Sequence, residues 1–295
     1  KEFERVYAGK PDVVVSAPGR IDFLNTHQDY KGLPVVGVAV NLRVYVAVSR
    51  RSDSKIQVSS WNLAIEGSEH IDSFTLDDIR LIGGKWFGDY IRAGVRVLEG
   101  MLPRAGFNML IVSDIPIGSG LGSSGALLIA SLGAISALYD LKLTTTDLAE
   151  LAYIAEHHVM GIPCGRLDQY TSAFGGAVVI NTKPPYNVER LPFTATFAVL
   201  DSGIKHSTAE IHPKRQEELS RALRQLLAMD IPESLRALLK PSYYETDWDR
   251  LTELEDLIDP YVKLLEPKLR DRILYTLRVH RSTLLALRIL RGEFM

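Results

Sequence analysis

The stretch Pro116-Ile117-Gly118-Ser119-Gly120-Leu121-Gly122-Ser123-Ser124-Gly125-Ala126 carries the strongest chemical signal in the chain. An apolar run from Phe107 to Val112 precedes it and predicts a strand, and Leu127-Leu128-Ile129-Ala130-Ser131-Leu132 follows and predicts a buried helix. A strand, a glycine loop and a helix start gather unpaired backbone N–H groups and the positive end of a helix dipole, which suits a phosphate. A Walker-type loop needs Gly-Lys-Ser/Thr, and no lysine lies between Pro116 and Ala126. Gly120-x-Gly122-x-x-Gly125 matches the dinucleotide fingerprint by letter, but Tyr139-Asp140 leads through Thr144-Thr145-Thr146-Asp147 into another helix, so the acidic-ended strand of that motif is missing. The reading without a ligand is a glycine-rich turn in which Ser123 or Ser124 caps the helix.

Three other places carry reactive groups. Gly19-Arg20 opens a polar run, Arg20-Ile21-Asp22-Phe23-Leu24-Asn25-Thr26-His27-Gln28-Asp29-Tyr30-Lys31-Gly32, in which the guanidinium suits a phosphate or a developing oxyanion, and His27 and Asp29 suit neighbouring sugar hydroxyls. Glu156 falls near the C-terminal end of a helix predicted over Leu148 to Val159, where a carboxylate opposes the dipole unless it has a cation to bind. With the hydroxyl of Ser123 or Ser124 it makes a candidate Mg²⁺ site, since that ion takes one or two protein oxygens and fills its shell with water and phosphate. Asp168, in the Gly- and Pro-punctuated turn Gly161 to Gln169, becomes a candidate acceptor for a substrate hydroxyl proton if that turn faces the glycine loop. Turns also use Asp purely for local hydrogen bonds.

These groups need a scaffold, and the pattern supplies one. Asp12 to Pro18 reads as a strand ended by proline; Val35 to Val48, Lys55 to Ser59 and Ile71 to Phe74 read as further strands. Trp86 to Leu98 predicts a helix with Trp86, Tyr90, Ala93 and Val97 on one face, most simply core, with an aromatic end on which an adenine can stack. Thr144 to Asp147 forms a capping box for the next helix. Gly175 to Asn181 and Phe197 to Leu200 predict strands, and beyond Lys214 the pattern is helical: Arg215 to Met229, Pro232 to Leu239, Trp248 to Leu257 and Asp271 to Arg291. The proline pair Pro184-Pro185 marks a boundary, giving expected domains 1–185 and 186–295. With 295 residues, 34 basic and 36 acidic side chains and one cysteine, Cys164, the chain has length for two domains and no bulk pull toward nucleic acid or an anionic membrane. A lone cysteine forms no internal disulfide, and no apolar run approaches a membrane span, so the expected setting is cytoplasmic, with a small polar substrate as partner.

Taken together and in order, three motifs resemble the galactokinase branch of the GHMP small-molecule kinases. Gly19-Arg20 through His27-x-Asp29-Tyr30-x-Gly32 resembles the galactokinase signature, and Pro116-x-Gly118-x-Gly120-Leu121-Gly122-Ser123-Ser124 resembles the superfamily's ATP loop. Pro163-Cys164-Gly165-x-x-Asp168-Gln169 resembles the catalytic turn, and Trp86-x-x-x-Tyr90-x-x-x-Gly94 and Asp201-Ser202 with Lys205-His206 also match. The resemblance spans Val13 to Arg215 and implies a two-domain α+β fold with the active site between domains. It implies ATP and Mg²⁺ as cofactors, Asp168 and Arg20 as catalytic residues, and Pro116, Gly118, Ser119, Gly120, Leu121, Gly122, Ser123 and Ser124 around the phosphates, with Trp86 near the adenine. Ser124 and Glu156 would hold the metal, and His27, Asp29 and Gly165 the sugar.

This chain departs from the family pattern at Asn25 and Thr26, where Gly and Glu are usual, and His212 stands where a tyrosine closes over the sugar. A threonine binds a sugar hydroxyl less strongly than a carboxylate does. Nothing after Asp201 resembles the family's third glycine-rich motif, so the expectation is a second domain that is truncated or a variant without that motif. The implied reaction is transfer of the γ-phosphoryl group of ATP to a monosaccharide hydroxyl, galactose or a related aldose at C1. The alternatives are a related kinase of a polyol, amino sugar or uronic acid, and a sugar sensor without turnover.

Overall fold

The computed structural model describes residues 1–84, 86–116, 118–200 and 208–293, with the side chains of residues 208–212 outside the description. It combines helices and sheet, and the chain divides into two units: Lys1–Ile21 with Val38–Gly176, and Asp22–Gly37 with Ala177–Met295. The second boundary falls at 176/177 rather than at the proline pair, and the polar run after Arg20 joins the C-terminal half. Hydrogen bonds explain that assignment. Lys31 Nζ donates to Thr276 Oγ1 at 2.8 Å and Thr182 Oγ1 donates to the Leu33 carbonyl at 2.8 Å, tying positions 22–37 to distant residues of their own unit.

In the first unit, α1 (Glu2–Tyr7) precedes β1 (Val13–Leu24), β2 (Val35–Arg50) and β3 (Lys55–Ser60). The short α2 (Trp61–Ile65), β4 (Ile71–Thr75), α3 (Gly88–Val97) and β5 (Phe107–Ser113) follow. The strands lie in the order β4-β3-β5-β2, with β1 beside β2. β2 and β5 run antiparallel from Val44↔Ser113 to Arg50↔Phe107, whereas β3 and β5 run parallel. Along β2, Val44, Val46 and Val48 are buried and the intervening Tyr45 is exposed, the period of two that puts one face on a core. β1 continues through Pro18, where the sequence predicts an end; β1 pairs with β2 alone, and a residue without an N–H is tolerated where the strand's other edge needs no ladder bond.

Three helices complete this unit: α4 (Ser123–Tyr139), α5 (Thr145–Ile154) and α6 (Leu167–Phe174). α4 is apolar on all sides and buries Ala126, Leu128, Ala130, Leu132 and Ile135 in a core shared with Ile56, Val58 and Met109 of the sheet and Ile91 and Val95 of α3. The capping box forms as expected, with Thr144 Oγ1 accepting from the Asp147 N–H and Asp147 Oδ2 accepting from the Thr144 N–H.

The second unit holds a 3₁₀ turn over Asp29–Lys31, the antiparallel pair β6 (Ala177–Ile180) and β7 (Val188–Leu191), and helices α7 (Thr208–Ala228), α8 (Glu233–Arg236), α9 (Trp248–Glu253), α10 (Glu255–Val262) and α11 (Pro267–Leu290). Leu219, Leu223, Leu226, Trp248, Ile258, Ile273 and Leu277 form its core, which also takes in Leu33. The helix predicted over Trp248 to Leu257 breaks at Leu254 into α9 and α10. No strand forms at Phe197 to Leu200: Val199 and Leu200 are 57% and 91% exposed, so the run buries no face. Among the described residues, no helix is long and apolar enough to cross a membrane.

Candidate active site

The glycine loop connects β5 to α4. Gly118, Gly120 and Gly122 all have positive φ (73°, 75° and 69°), a region that side chains disfavour. Gly122 is itself the N-cap of α4, so neither serine caps the helix; Ser123 and Ser124 occupy its first turn, where backbone N–H groups have no intrahelical acceptor. A Cβ at position 122 would also sit 2.9 Å from Arg20 Cγ, so the glycine admits the arginine as well as the turn.

Arg20, on β1, is held at this loop by its backbone N–H, which donates to the Leu121 carbonyl at 2.8 Å. Its Nη1 donates to the Gly120 carbonyl. Two further donors form a fork on one carboxylate: Nε to Asp168 Oδ1 at 2.7 Å and Nη2 to Oδ2 at 2.6 Å. Asp168 lies in the first turn of α6 rather than in the turn expected from the Gly and Pro residues before it. A carboxylate is favoured there by the helix dipole. Gly125 brings α6 close to α4, since a Cβ on it would approach Asp168 Cβ to 3.0 Å.

Glu156 sits beside this pair. The helix expected through Val159 ends as α5 at Ile154, and residues Ala155–Val159 make a wider π turn, a feature frequent at functional sites. Glu156 is buried, and its Oε2 accepts from Gln169 Nε2 at 2.7 Å. Burial, and then the nearby Asp168 charge, push its carboxyl up to about 7, against hydrogen bonds from Ser124 and Gln169 that favour the ionised form. A buried carboxylate hydrogen-bonded to a serine at a helix start fits a Mg²⁺ ion that completes its shell with water and phosphate. Among the described residues, no cluster of three or more His, Cys, Asp or Glu is placed to hold a metal alone.

A cavity of about 700 Å³ opens beside the loop, lined by Gly118, Ser123 and Ser124 at one end and by Asn62, Trp86, Phe87 and Tyr90 elsewhere. The predicted helix starts two residues late, at Gly88, which leaves Trp86 in the connection before it. The Trp86 and Phe87 rings meet at 4.7 Å, and the Trp86 indole N–H is buried without a partner among the described residues. Asn62 is clamped by the backbone of Ser113, with Nδ2 donating to its carbonyl and Oδ1 accepting from its N–H, both at 2.8 Å. Nothing in the spacing of Ser60 and Asn62 marks them as cavity residues; only the parallel pairing of β3 with β5 brings them here.

The remaining sequence-selected residues fall elsewhere. Thr26, His27 and Asp29 lie together on the signature loop of the second unit, where the Thr26 carbonyl accepts from Tyr275 Oη at 3.1 Å and Asp29 Oδ1 accepts from the Tyr30 N–H at 3.0 Å. Asn25 and His27 have φ of 64° and 61°. Asn is among the few side chains that tolerate that region, so it suits the place where the family pattern has glycine. Its Nδ2 also donates to the Pro34 carbonyl and faces His280 Nδ1 at 3.3 Å. Gly165 belongs to the first unit, in the irregular segment before α6. His212, Asp201-Ser202 and Lys205-His206 lie outside the residues whose side chains are described.

The chain is similar to known proteins in both sequence and fold. Residues 89–176 match the model of the GHMP kinases N terminal domain, and residues 1–50 match the galactokinase galactose-binding signature. A galactokinase of Chloroflexus aggregans is 35% identical over 234 residues, covering 76% of this chain and 59% of the relative. One from Roseiflexus is 33% identical over 232 residues, with 77% and 58% covered. The chain thus spans less than two thirds of the length of these relatives. Among solved structures, Lactococcus lactis galactokinase complexed with galactose superposes with a TM-score of 0.75 at 22% identity, covering 99% of this chain and 73% of that one. Methanococcus jannaschii mevalonate kinase gives 0.52 at 19% identity, with 93% and 80% covered. These structures share the fold.

Proposed function

We propose that this chain, similar to galactokinases and matching the GHMP kinases N terminal domain over residues 89–176, transfers the γ-phosphoryl group of ATP to a monosaccharide hydroxyl, galactose or a related aldose at C1. The observation that carries the reading is the Arg20 fork on Asp168, fixed beside the glycine loop by hydrogen bonds to the Gly120 and Leu121 carbonyls. In this reading the loop from Pro116 to Ser124, including Ser119, cradles the phosphates through backbone N–H groups at the α4 start. The adenine lies toward Trp86.

Ser124 and Glu156 would hold Mg²⁺, which when bound would supply positive charge against the phosphate oxygens. Asp168 accepts the hydrogen bond of the acceptor hydroxyl on a lone pair left by the Arg20 fork, and takes its proton as the oxygen bonds to the γ-phosphorus. The bond from that phosphorus to the bridging oxygen breaks, and ADP leaves. Arg20 stabilises the charge on the transferring group, and with a loose transition state such positioning and charge stabilisation supply most of the acceleration. His27, Asp29, Thr26, Gly165 and His212 are the residues assigned to the sugar.

Phosphorus NMR of the protein with MgATP and galactose tests this. The expected products are ADP and a sugar 1-phosphate. A panel of an amino sugar, a uronic acid and a polyol, read by ADP release, ranks the acceptors. Heat of sugar binding with no ADP from any member of the panel would overturn the kinase reading in favour of a sensor.

A further inference from the structure

The second unit buries a cation that the proposed phosphoryl transfer does not use. Lys31 is 4% exposed, yet among the described residues no carboxylate forms an ion pair with its ammonium; Nζ donates to Thr276 Oγ1 at 2.8 Å and lies 5.5 Å and 5.8 Å from the ring centroids of Tyr30 and Tyr275. An ammonium has three donors, so a single hydroxyl leaves hydrogen-bonding capacity unused. Lys31 lines a small cavity with Arg215 of α7 and Arg272 of α11, and His27 of the signature loop forms part of the same wall.

Among the described residues, the wall of this cavity carries cations and no carboxylate. Arg272 is paired with Glu218, its Nε donating to Oε2 at 2.8 Å. Asp29 is the other anion near Lys31, while Arg215 has no ion-pair partner among the described residues. Asp22 stands near Tyr275 in the same cluster, so the carboxylates match the cations in number, yet none of them lines the cavity, where three cations converge and one is almost fully desolvated. Isolated buried charge is costly and is ordinarily offset by a counter-charge.

We propose that Lys31, Arg215 and Arg272 form an anion subsite in the second unit that accepts one oxygen of a compact oxyanion, either free inorganic phosphate or the acidic group of an acceptor sugar held by the adjoining signature loop. The size of the cavity supports a single oxygen: its roughly 10 Å³ admits about one water-sized group, with the rest of the anion at the mouth beside the partly exposed guanidiniums. The arginine planes suit such an anion through paired N–H donors, and Lys31 acts as a point charge beneath it. The subsite rests on the second unit's own geometry and stands whether or not the first unit transfers phosphoryl groups.

Isothermal titration of the chain with inorganic phosphate, with galacturonate and with galactose tests the subsite in the unaltered protein, Arg215→Gln and Lys31→Met. Arg215 is partly exposed, so its replacement leaves the fold intact, which a circular-dichroism melt verifies; this keeps the test decisive even if Lys31→Met unfolds. Phosphate also binds the glycine loop in the reading above, so the signal that counts is the part Arg215→Gln removes. The expected result is at least tenfold weaker binding of phosphate or galacturonate to that component in Arg215→Gln. Galacturonate outcompeting phosphate and galactose assigns the anion to the acceptor; phosphate binding with galacturonate no better than galactose assigns a free anion. Phosphate and galacturonate affinities that are the same in the unaltered protein and Arg215→Gln would overturn the subsite.

Discussion

The two units hold their cations in opposite ways. In the first, Arg20 is paired: two donors go to Asp168 and one to the Gly120 carbonyl, and the backbone around it is built from glycines that make room for the guanidinium. In the second, Lys31 is buried more completely but has a hydroxyl and two aromatic rings for neighbours, with no carboxylate among the described residues in an ion pair with it. The difference separates a charge fixed for use from a charge awaiting a partner. A cation anchored by a carboxylate has a defined direction, and the N–H donors the anchor leaves over suit a group that must meet a phosphoryl oxygen at one place. An unsaturated buried cation stays costly until an anion reaches it.

The contrast breaks most visibly at Arg20. Arg20→Met removes the fork and leaves Asp168 without its counter-ion, and turnover is expected to fall by about 10³-fold or more, within the range measured for arginines that stabilise transferring phosphoryl groups. A steady-state ADP assay checks it, and a loss of less than about tenfold would mean the fork is only structural.

Gly122→Ala is expected to come next. It places a methyl within 2.9 Å of Arg20 Cγ and forces an alanine to a φ of 69°, so it disturbs loop and arginine together. Strain of about 1–3 kcal/mol predicts ATP affinity lower by about 10- to 100-fold, read by titration calorimetry. Gly118→Ala has nothing within 4 Å of the added carbon and carries only the backbone cost, so the smaller loss expected there sharpens the reading of the larger one.

Lys31 gives a pH signature with a definite sign. Burial, and then the charge of Arg272, pull its ammonium from 10.5 down to about 7. Between those values the unfolded chain holds a proton that the folded chain does not, so this residue's contribution to stability rises with pH through that window and is lost as pH falls through about 7. Lys31→Met is therefore expected to gain stability relative to the unaltered protein, by more at about pH 6 than at about pH 9, with the difference closing at about 1.4 kcal/mol per pH unit at most. Urea unfolding at several pH values measures it, and a difference independent of pH would show that Lys31 is not desolvated.

The smallest effect is expected at Asn25. Asn25→Gly keeps the left-handed turn and loses the bond to the Pro34 carbonyl, costing about 1 kcal/mol, while Asn25→Ala adds strain at a φ of 64° and costs about 2 kcal/mol. Thermal unfolding that ranks the glycine variant below the alanine variant would contradict the turn geometry.

Much of the first unit was legible in the sequence because its signals are local. The glycine loop between an apolar strand and an apolar helix, the capping box at Thr144 and the strands β2 to β5 are each encoded within a few residues. The convergence of Arg20 with Asp168 was less legible, since 148 positions separate them and the Gly-Pro punctuation before Asp168 hid the start of α6. Asn62 came to the cavity only through the pairing of β3 with β5. The membership of Asp22–Gly37 in the second unit depends on bonds to Thr182 and Thr276, which no local pattern reveals. The burial of Lys31 was not legible either, since it depends on Thr276 of α11, which accepts from its ammonium across 245 positions.

The carboxylate facing the guanidinium fork is where the whole account is most exposed. Asp168→Asn preserves the shape of the side chain and removes its charge, so rapid-quench measurement of phosphoryl transfer with saturating MgATP and galactose, alongside ATP titration, isolates its chemical role. The predicted result is a transfer rate lower by about 10³-fold with ATP affinity within about threefold of the unaltered protein. Transfer at a near-normal rate would contradict the assignment of that carboxylate to the reacting hydroxyl.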